Sequence, residues 1–194
     1  MENKKIKVMT LGDMPLGTSG VGNQTRFVIE ALLNSGKFQV FTLGGAISHP
    51  DHNVMQTEKW GEDWKILPVD TFGTKELVRS IMWREKPDII WLMTDPRFWG
   101  WLWEMDTEIR ANVPIVYYHV WDNYPYPTFN KKLYESNDVV VSISKLTNDI
   151  VKNVAPEVNT HHIQHAVNTD VYKNLGDDIK ENLRKQNKVP NGGN

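Results

Sequence analysis

Lys5-Ile6-Lys7-Val8-Met9-Thr10-Leu11-Gly12-Asp13-Met14-Pro15-Leu16-Gly17-Thr18-Ser19-Gly20-Val21-Gly22-Asn23, running on into Gln24-Thr25-Arg26-Phe27-Val28-Ile29-Glu30-Ala31-Leu32-Leu33, reads as strand, glycine loop and helix. The apolar positions Ile6, Val8, Met9 and Leu11 break at Gly12. Three glycines then fall within residues 17–23, where glycine reaches positive φ and lets backbone approach a ligand closely. Phe27, Val28, Ala31 and Leu32 share one helical face, and Asn34-Ser35-Gly36 is a stop signal. A helix N-terminus aimed into such a loop suits a phosphate or carboxylate; a tight strand-to-helix turn without a ligand uses the same residues. The glycines alone leave both readings open.

Two nucleotide motifs are excluded. The spacing is G-x-x-G-x-G rather than the G-x-G-x-x-G of dinucleotide folds, and the next strand, Val40 to Leu43, ends in Gly44-Gly45 without an acidic residue for a ribose. No lysine follows a glycine in the loop, as a P-loop requires.

Further along, short apolar runs alternate with helical patterns. Strands are expected at Phe38 to Leu43, Ile66 to Val69, Asp88 to Met93, Val113 to Val120, Val139 to Ser142 and His161 to His165. Helices are expected at Thr74 to Lys86, Arg97 to Ala111, Lys131 to Ser136, Lys145 to Val154 and Asp177 to Gln186. The polar stretch from Ala46 to Lys65 reads as an irregular excursion. This order predicts an α/β fold, a Rossmann-like parallel sheet with helices on both faces and ligands outside the carboxyl ends of the strands.

The 194 residues allow one large domain. With 22 basic and 24 acidic side chains, nothing resembles a nucleic-acid footprint. No cysteine is present, which excludes disulfides and cysteine metal sites and fits a reducing compartment. No signal-peptide core and no apolar run of about 20 residues is found, so a soluble cytoplasmic protein is expected.

Chemistry-bearing residues gather at expected strand ends. His119 is followed by Trp121, Asp122, Asn123, Tyr124 and Tyr126, a density of aromatics and amides that suits sugar faces and hydroxyls. A histidine beside a carboxylate can act as donor or general base; it can equally be held structurally at the strand end. On a helix, Trp99 and Trp103 share a face while Trp101 points nearly opposite, so one face is core. The other ring can stack on a sugar, meet a partner, or lie half-covered by a neighbouring segment. His161 and His165 on a strand lie roughly 13 Å apart, too far for one ion, and no D-x-D pair occurs, so no metal is expected. Ser142 and Ser144 lack a G-x-S-x-G elbow.

Taken together, the loop from Gly17 to Asn23, Tyr118-His119, Val141-Ser142-Ile143-Ser144-Lys145, and Ile163-Gln164-His165-Ala166-Val167-Asn168-Thr169-Asp170-Val171-Tyr172 resemble the N-terminal domain of a GT-B glycosyltransferase of the retaining GT4 type. The resemblance covers essentially the whole chain. Ala166 stands where that family usually has glycine, which makes backbone approach there less permissive. It implies one half of a GT-B fold. Residues 1–175 would form a Rossmann-like acceptor-side domain, and residues 176–194 a helix and linker leading towards a missing donor-binding domain. Gly20, Val21, Gly22 and Asn23 would face the donor diphosphate, and His119 would be catalytic, close to the reacting sugar. Asp95, Trp99, Trp121, Asp122, Asn123 and Tyr124 would bind the acceptor; Ser144, His165 and Asn168 would line the cleft. No cofactor is implied beyond a nucleotide-sugar co-substrate, which would bind through the missing C-terminal domain. The chain alone is expected to be inactive, with its exposed interdomain face open to self-association. The rival expectation is a non-catalytic module that holds a glycan or a protein on the same fold.

Overall fold

The computed structural model describes residues 4–189; the glycine-rich tail from Pro190 to Asn194, read as part of the linker, lies outside the described residues. Among the described residues, the strands and α-helices follow in chain order as β1 (Ile6–Asp13), α1 (Gly20–Asn34), β2 (Phe38–Ile47), β3 (Met55–Gln56), β4 (Trp64–Asp70), α2 (Lys75–Glu85), β5 (Ile89–Thr94), α3 (Gly100–Trp103), α4 (Asp106–Arg110), β6 (Ile115–His119), α5 (Lys131–Glu135), β7 (Val139–Ser142), α6 (Lys145–Val154), β8 (Thr160–His162) and α7 (Asp177–Gln186).

The strands form one sheet in the order β3-β4-β2-β1-β5-β6-β7-β8. All pairings are parallel except β3 with β4. The chain builds outward from β1 to β2 and β4, then returns to lay β5 on the other side of β1. The crevice at the carboxyl ends of β1 and β5 is therefore the topological switch point, where such sheets bind ligands.

Strand alternation sends side chains to opposite faces, and each face builds its own core. Met9, Leu11, Leu43, Ile90, Leu92, Ile115, Tyr117 and Val140 pack with Val78 and Ile81 of α2, with Trp99, Leu102, Trp103 and Ile109, and with Ile150 and Val151 of α6. The other face, with Val8, Val40, Trp64, Ile66, Trp91, Met93, Tyr118 and Val141, is covered by α1 through Ile29 and Leu33. Helices on both faces match the expected fold class.

Several boundaries differ from expectation. The residues that α1 buries are Gly22, Thr25, Ile29 and Leu33, not the Phe27, Val28, Ala31 and Leu32 face. One helix cannot cover a sheet face several strands wide. The Phe27, Val28, Ala31 and Leu32 face instead lines an open apolar groove of about 450 Å³ with Trp91, Val116, Tyr118 and Val141. The helix expected from Arg97 to Ala111 is broken into a 3-10 turn, Pro96–Phe98, followed by α3 and α4. Trp99 and Met105, at φ of −118° and −114°, are the two breaks, and both side chains are buried. Packing against the sheet outweighs helix continuity there. In the 46–65 excursion, the short strand β3 pairs antiparallel with β4 and forms that edge of the sheet. The last strand closes at His162, sooner than the expected His165.

Among the described residues, no helix is long and apolar enough to cross a membrane.

Candidate functional site

Residues 14–19 form the loop at the switch point, and α1 opens at Gly20. Ser19 caps α1: its Oγ accepts from Gly22 N at 3.0 Å and hydrogen-bonds the Asp13 carboxylate at the end of β1. The glycines serve different ends. A Cβ on Gly22 would stand 2.5 Å from the Met14 carbonyl oxygen, so Gly22 lets the helix head close onto the loop. A Cβ on Gly20 would meet nothing within 4 Å. Among the described residues, no acceptor takes the N–H groups of Gly20 and Val21, while Asn23 N–H bonds the Ser19 carbonyl. Two free N–H donors at the positive end of a fifteen-residue helix can hold an anion.

The segment after β8 comes to this helix. Gln24 Nε2 donates to the Ala166 carbonyl at 2.7 Å, and Tyr118 Oη donates to the Ile163 carbonyl at 2.7 Å. His165 packs edge-on against Tyr118 with centroids 5.4 Å apart, and burial pulls its pKa below the usual histidine range. Asn168 is exposed; its Oδ1 accepts from Asp170 N at 2.9 Å, forming a turn. The glycine loop and the closing motif, about 145 residues apart, thus share one side of the switch point.

His119, at the end of β6, is fully buried. Tyr117 Oη donates to the Thr94 carbonyl at 3.1 Å, so its oxygen accepts from His119 Nδ1–H at 2.9 Å. Nε2 is then the lone-pair nitrogen, and it accepts from Tyr134 Oη at 2.8 Å. Asn130 Nδ2 donates to that same tyrosine oxygen at 3.4 Å. The chain Asn130, Tyr134, His119, Tyr117, Thr94 is satisfied at every link, and it holds the imidazole neutral. Burial drives the His119 pKa down to about 3 against the opposing pull of the Asp95 carboxylate. Burial likewise raises Tyr134 to about 12 and Tyr117 well above the usual phenol range. The expected contact between His119 and a reacting sugar has no open nitrogen to make it, so the residue reads as the keystone of the β5–β6 end.

Asp95, after β5, caps the next turn by accepting from Arg97 N at 2.9 Å, and the Arg97 guanidinium grips it from outside. That pairing holds the Asp95 carboxyl below the usual range. Trp99, expected to bind an acceptor, is 1% exposed and belongs to the core beneath Phe72 and Trp101. Its placement follows from the helix break, which turns the ring inward. Trp121 is half-buried, 6.4 Å from His119 ring to ring and edge-on to the exposed Phe129. Asp122, Asn123 and Tyr124 lie on the exposed loop beyond it.

Ser144 caps α6, its Oγ accepting from Thr147 N at 3.0 Å, and Thr147 Oγ1 donates to the Trp121 carbonyl at 2.8 Å. Ser144→Ala is expected to cost about 1 kcal/mol of stability, a typical N-cap loss, measurable by urea denaturation.

The sequence points to His119, but not to the partners that define its state, Tyr117, Tyr134, Asn130 and Thr94. Tyr117 has a local signal, since residues two apart on a strand share a face. Tyr134 and Asn130 arrive through tertiary packing.

No protein-family description matches the sequence, and no curated protein does. Solved structures do. A sucrose-phosphate synthase structure from Thermosynechococcus elongatus matches at TM-score 0.58 and 14% identity, over 95% of this chain and 98% of that one. An α-glucosyltransferase in complex with UDP and a 13-mer DNA containing an HMU base matches at TM-score 0.53 and 10% identity, over 88% of this chain. A trehalose-6-phosphate structure from E. coli bound with UDP-2-fluoro glucose matches at 0.52 and 10% identity, over 94% of this chain. The chain spans about half the length of the last two, 46% and 54%. At these identities the likeness is one of fold: the architecture is that of a Rossmann-like half of GT-B glycosyltransferases.

Proposed function

We propose that residues 1–175 are the acceptor-side half of a glycosyltransferase of the retaining GT4 type, which moves a sugar from a nucleotide-sugar to an acceptor only when joined by a donor-binding domain, on the same polypeptide or another. The observation that carries this reading is the helix head at the switch point: Gly20 open to the crevice, the free N–H groups of Gly20 and Val21, and the 163–172 segment drawn alongside through Gln24. Such a head is suited to a diphosphate arriving from the facing domain, where fixed N–H dipoles stabilise the charge that grows on the leaving group. The sugar-transfer chemistry of structures sharing the fold supports the same direction. Residues 176–194 are read as the lead into that domain.

In this reading His119 is a positioning residue. Its network fixes the ends of β5 and β6, which carry Asp95 and the 121–124 loop.

The test uses Gly20→Ala, because a Cβ there meets no protein atom and the fold has no reason to respond. With the donor domain present, transfer should fall about tenfold, equivalent to ~1.4 kcal/mol, at unchanged stability. Unchanged transfer would remove the diphosphate from this loop. The chain alone should show no transfer and only weak binding across a panel of nucleotide-sugars; micromolar binding by the chain alone would overturn the half-site reading.

A second reading, a non-catalytic glycan-binding module, rests on exposed aromatic side chains at the same end: Phe98, Tyr124, Tyr126 and Phe129. Transfer by the two-domain assembly would separate it from the first.

A further inference from the structure

Between the glycine loop and the 47–55 excursion lies a cavity of about 470 Å³, within the range of small-molecule pockets. Its construction can be followed residue by residue. Met14 lies over Gly44, where a Cβ would come within 2.5 Å of the methionine sulfur, so the bare strand lets Met14 settle as a floor. Gly45 is equally bare because a Cβ there would stand 2.4 Å from the Thr71 carbonyl. Ala46 and Thr71, at φ of 69° and 54°, then bend the two strand ends, joined by the Ala46 N–H to Thr71 carbonyl bond of 2.5 Å, with Ile47 still paired to Asp70. Positive φ costs a residue with a side chain about 1–3 kcal/mol, and such strain is held where the surrounding structure enforces it.

The resulting walls are aliphatic: Leu16, Ile47, Pro50, Met55 and Pro68. Leu16, Ile47 and Met55 are each more than 40% exposed, an unusual concentration of large aliphatic surface on three separate segments facing one space. The polar part of the lining comes from His49, Asp51 and Asn53. His49 Nε2 meets the Gly44 carbonyl at 3.1 Å, which makes it the N–H nitrogen and leaves Nδ1 as an acceptor. His49 N–H donates to Asp70 Oδ1 at 2.9 Å, fixing the residue in the wall, and His52 Nε2 closes on the other Asp70 oxygen at 3.2 Å. Gly17 belongs to both the cavity and the glycine loop, so a ligand here would lie beside the head of α1.

We propose that this cavity is the acceptor subsite, and that the acceptor is a small glycoside with an apolar aglycone, its alkyl or aryl group on Met14, Leu16, Ile47 and Met55 and one sugar hydroxyl donating to His49 Nδ1. The inference rests on the transferase reading, and it places the aglycone on the β1/β2/β4 side instead of the β5/β6 aromatic side. A flat aromatic surface stacks on sugars and polar rings, whereas a concave aliphatic wall discriminates by apolar volume.

The experiment titrates the chain with n-hexyl β-glucoside, methyl β-glucoside and 1-hexanol, following backbone amide shifts by NMR. The hexyl glucoside should shift Leu16, Ile47, His49 and Met55 and bind at least tenfold tighter than either fragment. Met55→Glu, which sets a carboxylate in the wall, should weaken it at least tenfold, while Met55→Leu retains binding. Shifts centred on Phe98 and Phe129 would overturn the subsite and leave the transferase reading intact. Hexanol binding as tightly as the glucoside would overturn the acceptor assignment and count against the transferase reading itself. Absence of binding by all three overturns the proposal.

Discussion

His119→Phe is expected to lower stability at pH 7 by about 2–4 kcal/mol, because the Tyr134 hydroxyl loses its acceptor and the Tyr117 oxygen its donor inside the core. The sharper signature is in pH dependence. The folded-state His119 pKa is pushed down to about 3, against about 6.5 in an unfolded chain. Between those values the unfolded chain binds a proton that the folded chain refuses. The stability that neutral His119 contributes is therefore complete above pH 6.5 and is lost as pH falls towards 3, at up to ~1.4 kcal/mol per pH unit. A phenylalanine side chain has nothing to titrate, so the variant should lack this part of the acid limb. Urea denaturation at several pH values should show wild type ahead at pH 7 and the gap closing towards pH 4. A gap constant with pH would mean that His119 is not held neutral. If the two-domain enzyme carrying the variant folds, transfer should persist at reduced level, as befits a positioning residue. Complete loss of transfer with the fold intact would return His119 to the reacting centre.

Gly22→Ala is expected to cost about 1–3 kcal/mol, the range for overpacking a tight contact. The new methyl would stand 2.5 Å from a backbone carbonyl that cannot move without reshaping residues 13–19. Helix propensity works in the opposite direction by up to about 1 kcal/mol, so a net loss at the low end still signals a real clash. Thermal unfolding reads it at roughly 2–4 °C per kcal/mol for a domain of this size. Gly20→Ala is the internal control, with an expected change within about 0.5 kcal/mol. Equal losses at the two positions would mean that helix-start effects, not the Met14 carbonyl, set the requirement for glycine. Together the two substitutions separate the glycine that packs from the glycine that faces the crevice.

The order of strands and helices was legible in the sequence because both are local properties. Apolar runs such as Ile89-Ile90-Trp91-Leu92-Met93 and the stop signal Asn34-Ser35-Gly36 depend on near neighbours. Parallel pairing was expected from the length of the crossovers, whereas the switch point rests on the order of the strands within the sheet, which only the tertiary structure shows. The ends of α6 and α7 fell where the pattern put them. Which face each side chain presents was less legible. Phe27, Val28, Ala31 and Leu32 form as good a helical stripe as Gly22, Thr25, Ile29 and Leu33, and only the close approach of the helix head at Gly22 chose between them.

At the candidate site the division is the same. Composition and spacing marked the glycine loop and His119 as residues of interest, and the resemblance to GT-B glycosyltransferases added Asp95 and the 163–172 segment; a parallel sheet exposes backbone and side chains to ligands at its strand ends. Tertiary structure alone decided their states. Trp99 went into the core because the helix around it broke to pack against the sheet. His119 became neutral because Tyr117, Tyr134 and Asn130, brought together by the packing of α5 on the end of β6, satisfy it away from water. The aliphatic cavity at His49 exists because Gly44, Gly45, Ala46 and Thr71 turn a polar-looking excursion back over Met14. Patterning depends on short-range periodicity, which a sequence contains in full; burial, charge state and cavity shape depend on which distant segments meet, and that is fixed only when the sheet assembles.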